Sequence, residues 1–213
     1  MENHELKISC TNNSALTIKA NYGHFATNHS HINYYIDMTT LKVRQNEALA
    51  IAKSMAISYV ATTVVDTIIC MDGTEIIGAY LAQELSSAGI MSMNLHKSIY
   101  IITPEYNSNG QLIFRDNIQP MVNNKHVLLL LASATTGKTI AKSLECIQYY
   151  GGIIQGISAI FSAAKTICGH TINSLFTSKD LPDYMTYPQK DCPFCKQGRK
   201  IDAIVNSFGY SKL

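Results

Sequence analysis

Residues 126–152, HVLLLLASATTGKTIAKSLECIQYYGG, constrain the fold more than any other stretch of the chain. Val127–Leu131 is an unbroken apolar run. Such a run has no polar side to turn to water, so it suits a strand covered on both faces, as in a parallel sheet. Small and hydroxyl residues follow. Residues 139–150 then place Ile140, Leu144 and Ile147 on one helical face, and Gly151-Gly152 stop the helix. Strand, tight turn and helix in that order make one βα unit.

The same alternation recurs around it. Residues 44–60 carry Ala48, Ile51, Ala52, Met55 and Tyr59 at helical spacing. Residues 66–70, DTIIC, read as a short buried strand broken by Asp72-Gly73-Thr74. A helix over 75–87 would turn Ile76, Ile77, Tyr80, Leu81 and Leu85 inward. Ser98–Ile102 reads as a strand, PEYNSNG as a loop, Gln111–Arg115 as a returning strand and Ile153–Phe161 as another strand. The predicted class is therefore α/β, an open parallel twisted sheet flanked by helices. Ligands of such sheets sit beyond the carboxyl ends of the strands. The turns after Cys70 and Leu131 lie at such ends.

Length and composition narrow the function classes. A chain of 213 residues fits one globular domain. Charged residues are 15% and hydrophobic residues 46%, which excludes a disordered chain. A net charge of +2 without a basic block disfavours an extended nucleic-acid footprint but not a small anion. No apolar run is long enough to cross a bilayer and no secretory leader is visible, so a cytoplasmic protein with reduced thiols is expected. The final Ser211-Lys212-Leu213 would be a peroxisomal address in a eukaryote.

Ser133, Ala134, Thr135, Thr136, Gly137, Lys138 and Thr139 form the candidate phosphate cradle. A helix start offers unpaired N–H groups and the positive end of a dipole, Gly137 lets the backbone approach an anion, and the threonines add donors. An ordinary turn capped by Thr135 or Thr136 is the plain alternative. Residues 132–139, ASATTGKT, also fit a relaxed Walker A loop, in which Lys138 would meet the phosphates of a nucleoside triphosphate. That chemistry also needs a strand ending in Asp to hold magnesium, and GIIQGISAIFSA has none.

TTGKT, with Leu130 before it and the Gly-Gly after its helix, resembles the phosphoribosyl pyrophosphate (PRPP) motif of type I phosphoribosyltransferases. Three further stretches are similar to one bacterial group of orotate phosphoribosyltransferases: Gly23-His24-Phe25 through His31 and Tyr35, Asp72 through Gly78, and Leu181-Pro182-Asp183-Tyr184 with Asp191-Cys192-Pro193-Phe194-Cys195. The resemblance implies the type I phosphoribosyltransferase fold. Its core would span about residues 41–176, and a small hood would form from about 1–40 and 177–213. It implies a homodimer that joins orotate to PRPP with Mg2+, giving orotidine 5′-phosphate and pyrophosphate. Residues 133–139 would hold the 5′-phosphate and Asp72, Gly73 and Thr74 the pyrophosphate. His24, Phe25, His29, Ser30 and His31 would form the hood over the base, and Lys97 and Arg115 are the candidate catalytic cations. The sequence departs from the family at two places. The family's two ribose-binding acids are replaced by Leu131 and Ala132, and the mobile-loop region offers only Arg115. A non-catalytic PRPP or nucleotide sensor on the same fold is the alternative those departures favour.

Cys192-Pro193-Phe194-Cys195 supplies half of a four-ligand zinc site. Its partner pair would come from elsewhere, for instance Cys168 and His170, or Cys10. Reduced packing thiols are the expected reading and zinc at Cys192 and Cys195 the alternative, so no metal is assigned. His24, His29 and His31 are read as base or anion contacts instead of ligands. Asp66 is read as a local cap or pair, and Tyr149, Tyr150, Tyr184 and Tyr187 as packing or interface residues.

Overall fold

The computed structural model describes residues 5–11, 13–87 and 89–213; the first four residues of the expected hood and Asn12 lie outside them. In chain order the strands are β1 (Glu5–Cys10), β2 (Asn13–Ala26), β3 (His31–Asp37), β4 (Thr67–Cys70), β5 (Tyr100–Ile102), β6 (Glu105–Tyr106), β7 (Leu112–Ile113), β8 (His126–Ala134), β9 (Ile153–Ser162), β10 (Thr166–Ile167), β11 (His170–Thr177), β12 (Thr186–Tyr187), β13 (Ala203–Asn206) and β14 (Gly209–Lys212). The helices are α1 (Thr39–Val43), α2 (Gln45–Ala56), α3 (Glu75–Ser87), α4 (Lys138–Tyr149) and α5 (Pro193–Lys196).

The central sheet runs β10-β11-β9-β8-β4-β5, and all its pairings are parallel except that of β10 with β11. Its middle strand shows why an all-apolar run was needed. Val127, Leu129 and Leu131 of β8 join one core cluster with Ile140, Leu144 and Ile147 of α4. Leu128, Leu130 and Ala132 join the other, with Ala48 and Ile51 of α2 and Ile77 and Leu81 of α3. Burying one such side chain contributes about 1.5–3 kcal/mol. In α3 the buried arc is Ile77, Gly78, Leu81, Ala82 and Leu85. Ile76, expected inward, falls off that arc and is exposed. Gly78 lets the helix lie close on the sheet, because a Cβ there would come within 2.4 Å of the Cys70 sulfur.

A second sheet, β12-β3-β2-β13-β14 with β1 on β2, combines the two ends of the chain. It shares the first core cluster through Leu16, Ile18, Ile32, Tyr34 and Val205. The stretch expected as a loop at 104–110 contains β6, which pairs with β7 to form a hairpin; the returning strand is only Leu112–Ile113. The chain after β4 moves outward to β5, whereas the chain after β8 moves to β9 on the other side. The carboxyl ends of β4 and β8 thus flank a topological switch point, the place where such sheets leave a crevice.

Candidate functional site

A cavity of about 790 Å3 opens at that switch point. Its floor is the turn after β4 and the turn after β8, with Asp72, Gly73, Ala132, Thr135, Thr136 and Gly137 among its lining residues. The hood sheet closes the other side with Tyr34, Tyr35 and the β13–β14 turn at Ser207 and Phe208. Phe208 is 87% exposed at the rim.

The second turn opens a helix whose first N–H groups lie at the cavity wall. Gly137 precedes α4 with φ 74°, and no side chain caps the helix start. A Cβ at Gly137 would also meet Ile167 Cγ2 at 2.8 Å, so conformation and space both demand glycine. Ser133, Ala134, Thr135, Thr136, Gly137 and Thr139 line the cavity, six of the seven residues read as the cradle. Lys138 is exposed and does not line it, which removes the feature that favoured a Walker-type loop.

The first turn is acidic and supported from behind. Asp72 and Gly73 both have positive φ, 61° and 76°. Thr74 is fully buried and donates its hydroxyl to the Met71 carbonyl at 2.8 Å, so it fixes the turn and does not face the cavity. Lys42, which the sequence reading passed over, is buried beneath. Its ammonium donates to the carbonyl oxygens of Asp72 at 2.9 Å and Ser207 at 2.5 Å. Burial pushes the Asp72 carboxyl above its ordinary range, against the opposing pull of the Lys42 charge and the Ala132 N–H. Burial likewise pulls Lys42 down, against Asp72, Glu75 and Asp37. Leu131 is wholly buried in the core, so nothing at that position reaches a ligand. Asp72 and Glu75, however, line the cavity next to Ala132.

Both candidate catalytic cations sit elsewhere. Lys97 lies 3.7 Å from Asp66, whose other oxygen accepts from the His126 ring at 2.7 Å and the His126 N–H at 2.9 Å. This cluster is at the amino ends of β4, β5 and β8, opposite the cavity. The pairing expected for Asp66 is thus present and spends Lys97 on it. Arg115 donates from Nε and Nη2 to Glu105 at 2.9 and 2.8 Å, across the β6–β7 hairpin, and does not line the cavity. The cation that does is Lys142, on α4, a residue that helical spacing from Lys138 would have revealed.

The hood residues divide. His29 and Ser30 line the cavity with Thr27 and Asn28. His24, Phe25 and His31 are buried and are not in its wall. Phe25 packs on Tyr35, with ring centroids 6.0 Å apart. His24 and His31 turn toward Cys192 and Cys195. Cys10 is buried and its thiol donates to the Leu175 carbonyl at 3.1 Å, while Cys168 is exposed between β10 and β11. Neither they nor His170 approach the C-terminal cysteines within that group. Tyr184 is buried in the core, Tyr149 is exposed, and Tyr150 and Tyr187 are half-buried.

No protein-family model and no curated protein matches the chain. Solved structures do. A UMP synthase from Leishmania donovani aligns with TM-score 0.56 and 15% identity over 84% of this chain, which spans only 36% of that longer protein. An orotate phosphoribosyltransferase from Mycobacterium tuberculosis, solved with PRPP, aligns with TM-score 0.51 and 14% identity, covering 69% of this chain and 82% of that one. An adenine phosphoribosyltransferase from Thermoanaerobacter pseudethanolicus gives 0.50 and 15%, covering 81% and 95%. The chain has the type I phosphoribosyltransferase fold.

Proposed function

We propose that the protein is a phosphoribosyltransferase that binds PRPP in the switch-point cavity and transfers its phosphoribosyl group to a nucleobase, with orotate the first candidate. The observation that carries this reading is the uncapped start of α4 with Gly137 held left-handed, facing the acidic turn across one cavity. The N–H groups and hydroxyls of residues 135–139 would grip the 5′-phosphate. The backbone of Asp72 and Gly73 would meet the diphosphate.

Asp72 takes over part of the work of the missing acids. It projects from the neighbouring strand end, beside Ala132, where a ribose hydroxyl could donate to it; such charge-assisted bonds contribute about 1.5–3 kcal/mol each. The base would lie under the hood, near Tyr35, Tyr184 and Phe208. In the reaction a base nitrogen attacks C1 of the ribose and the C1–O bond to diphosphate breaks. The protein aligns the two and stabilises the departing charge. Mg2+ favours oxygen ligands, usually one or two carboxylates together with phosphates, and Asp72 and Glu75 suit it. When bound there it would neutralise charge on the diphosphate. Lys142 is the side-chain cation available in the wall, and His29 adds an imidazole.

The second reading, a PRPP or nucleotide sensor, is favoured by the Arg115–Glu105 pair, which withholds the one arginine of the hairpin. Orotate consumption with PRPP and Mg2+, followed by ultraviolet absorbance, separates the two. Turnover supports transfer. Tight PRPP binding with no turnover on orotate, uracil or a purine base supports the sensor and ends the enzymatic reading.

A further inference from the structure

We infer that His24, His31, Cys192 and Cys195 form a structural zinc site that fastens the C-terminal segment to the β2–β3 hairpin. Their four ligand atoms lie within 4.8 Å of one another. Cys195 Sγ is 3.3 Å from His31 Nδ1 and 3.6 Å from His24 Nε2, and Cys192 Sγ is 3.5 Å from His24 Nε2. The two imidazole nitrogens are 3.0 Å apart. Zinc bonds of about 2.0–2.1 Å to nitrogen and about 2.3 Å to sulfur set the edges of a tetrahedron at roughly 3.3–3.8 Å. Four of the six ligand-to-ligand distances thus lie within a few tenths of an ångström of those edges, and the other two are no longer than 4.8 Å.

The fold prepares this set. Ala26 pairs with His31 across β2 and β3, and the β2 register shifts between Tyr22 and Phe25, where His24 sits and reaches the His31 ring. Cys192 precedes α5 and Cys195 lies in it, and CxxC is the usual zinc spacing. His24 Nδ1 is 3.0 and 3.1 Å from the carbonyl oxygens of Arg199 and Lys200. Those oxygens can only accept, so Nδ1 carries the proton and Nε2 offers its lone pair to the cluster. Such an outer hydrogen bond is what orients metal-bound histidines. Asp202 adds a second brace by accepting the His24 N–H at 2.8 Å. Three of the four ligands are buried. Phe194 covers His24, and the Arg199 guanidinium sits 4.9 Å over the Phe194 ring. Soft sulfur and imidazole donors in a closed four-ligand set select zinc over magnesium or calcium.

The test is metal analysis of the full chain, purified without chelator. About one zinc per chain is expected, retained in Cys168→Ser and lost in Cys192→Ser. Because the latter variant can fail to fold, Co2+ is also titrated into reduced, metal-stripped wild type. It should give four-coordinate ligand-field absorption and a sulfur-to-cobalt charge-transfer band, both saturating at one equivalent and abolished by Zn2+. If stripping unfolds the chain, refolding by Zn2+ but not Mg2+ is the expected result. Absence of zinc together with a cobalt titration showing no sulfur charge transfer, or full zinc content in Cys192→Ser, would overturn the site.

Discussion

The cavity and the His–Cys cluster both draw residues from β3 and from the C-terminal segment, so both join the two ends of the chain. Their chemistry is opposed. The cavity is open, about 790 Å3, with hydroxyls, amides and carboxylates on its floor and aromatic and aliphatic side chains under the hood. The cluster is closed, mostly buried and made of imidazole and thiol. Hard, oxygen-rich and accessible surfaces suit a ligand that must leave; soft, enclosed donors suit an ion that stays. The hood thus has a working face and a fastened face, and β2, β3 and the C-terminal strands belong to both.

Substitutions at either site test whether the two are independent. Thr136→Asp places a carboxylate in the phosphate cradle and should weaken PRPP binding at least about 100-fold, or about 2.8 kcal/mol. Calorimetry measures it, and zinc content should not change. If both were lost together, the two faces would not be independent. Lys42→Met removes the ammonium that links the Asp72 turn to Ser207. It leaves buried carbonyls without a donor, and should lower folding stability by about 2 kcal/mol in denaturant titration. Gly137→Ala adds left-handed strain and a contact with Ile167. A cost of about 1–2 kcal/mol should appear as roughly tenfold weaker PRPP binding.

The smallest effect concerns pH and lies in neither face. Burial pushes Asp66 up, but the His126 N–H and ring and the Lys97 charge outweigh it, leaving its carboxyl below the ordinary 3.8. Asp180 is also held low, because bonds from Thr11 and Thr177 outweigh its burial. A depressed carboxyl contributes stability that is fully present above its unfolded value and lost as pH falls through the folded one. Asp66→Asn and Asp180→Asn should therefore be less stable than wild type near neutrality and flatten the loss of stability below about pH 4. A variant whose acid profile parallels wild type would show that these bonds do not matter to folding.

The same contrast explains what the sequence could tell. The α4 cradle is one contiguous stretch, so a strand run, a glycine and a helix period were enough to place it. The central sheet was legible for the same reason. The strand order of the hood was not, because it pairs residues from the two ends of the chain and carries no local signature of that pairing. His24 and Cys192 are 168 positions apart, and only folding shows that they meet. The CxxC is visible, but spacing alone points no more to His24 and His31 than to Cys168, His170 or Cys10 as its partners. Lys97 and Arg115 were chosen as the cations nearest the expected loop. Charge alone could not reveal that Asp66 and Glu105 already engage them. Lys42 carries no motif and is identified by burial and by its two carbonyl partners.

The most direct test of the central claim is a crystal of the protein soaked with ribose 5-phosphate. The account predicts phosphate density against the N–H groups of Thr135–Thr139, with the sugar directed toward Asp72. A phosphate bound at any other place, with that helix start facing only solvent, would contradict it.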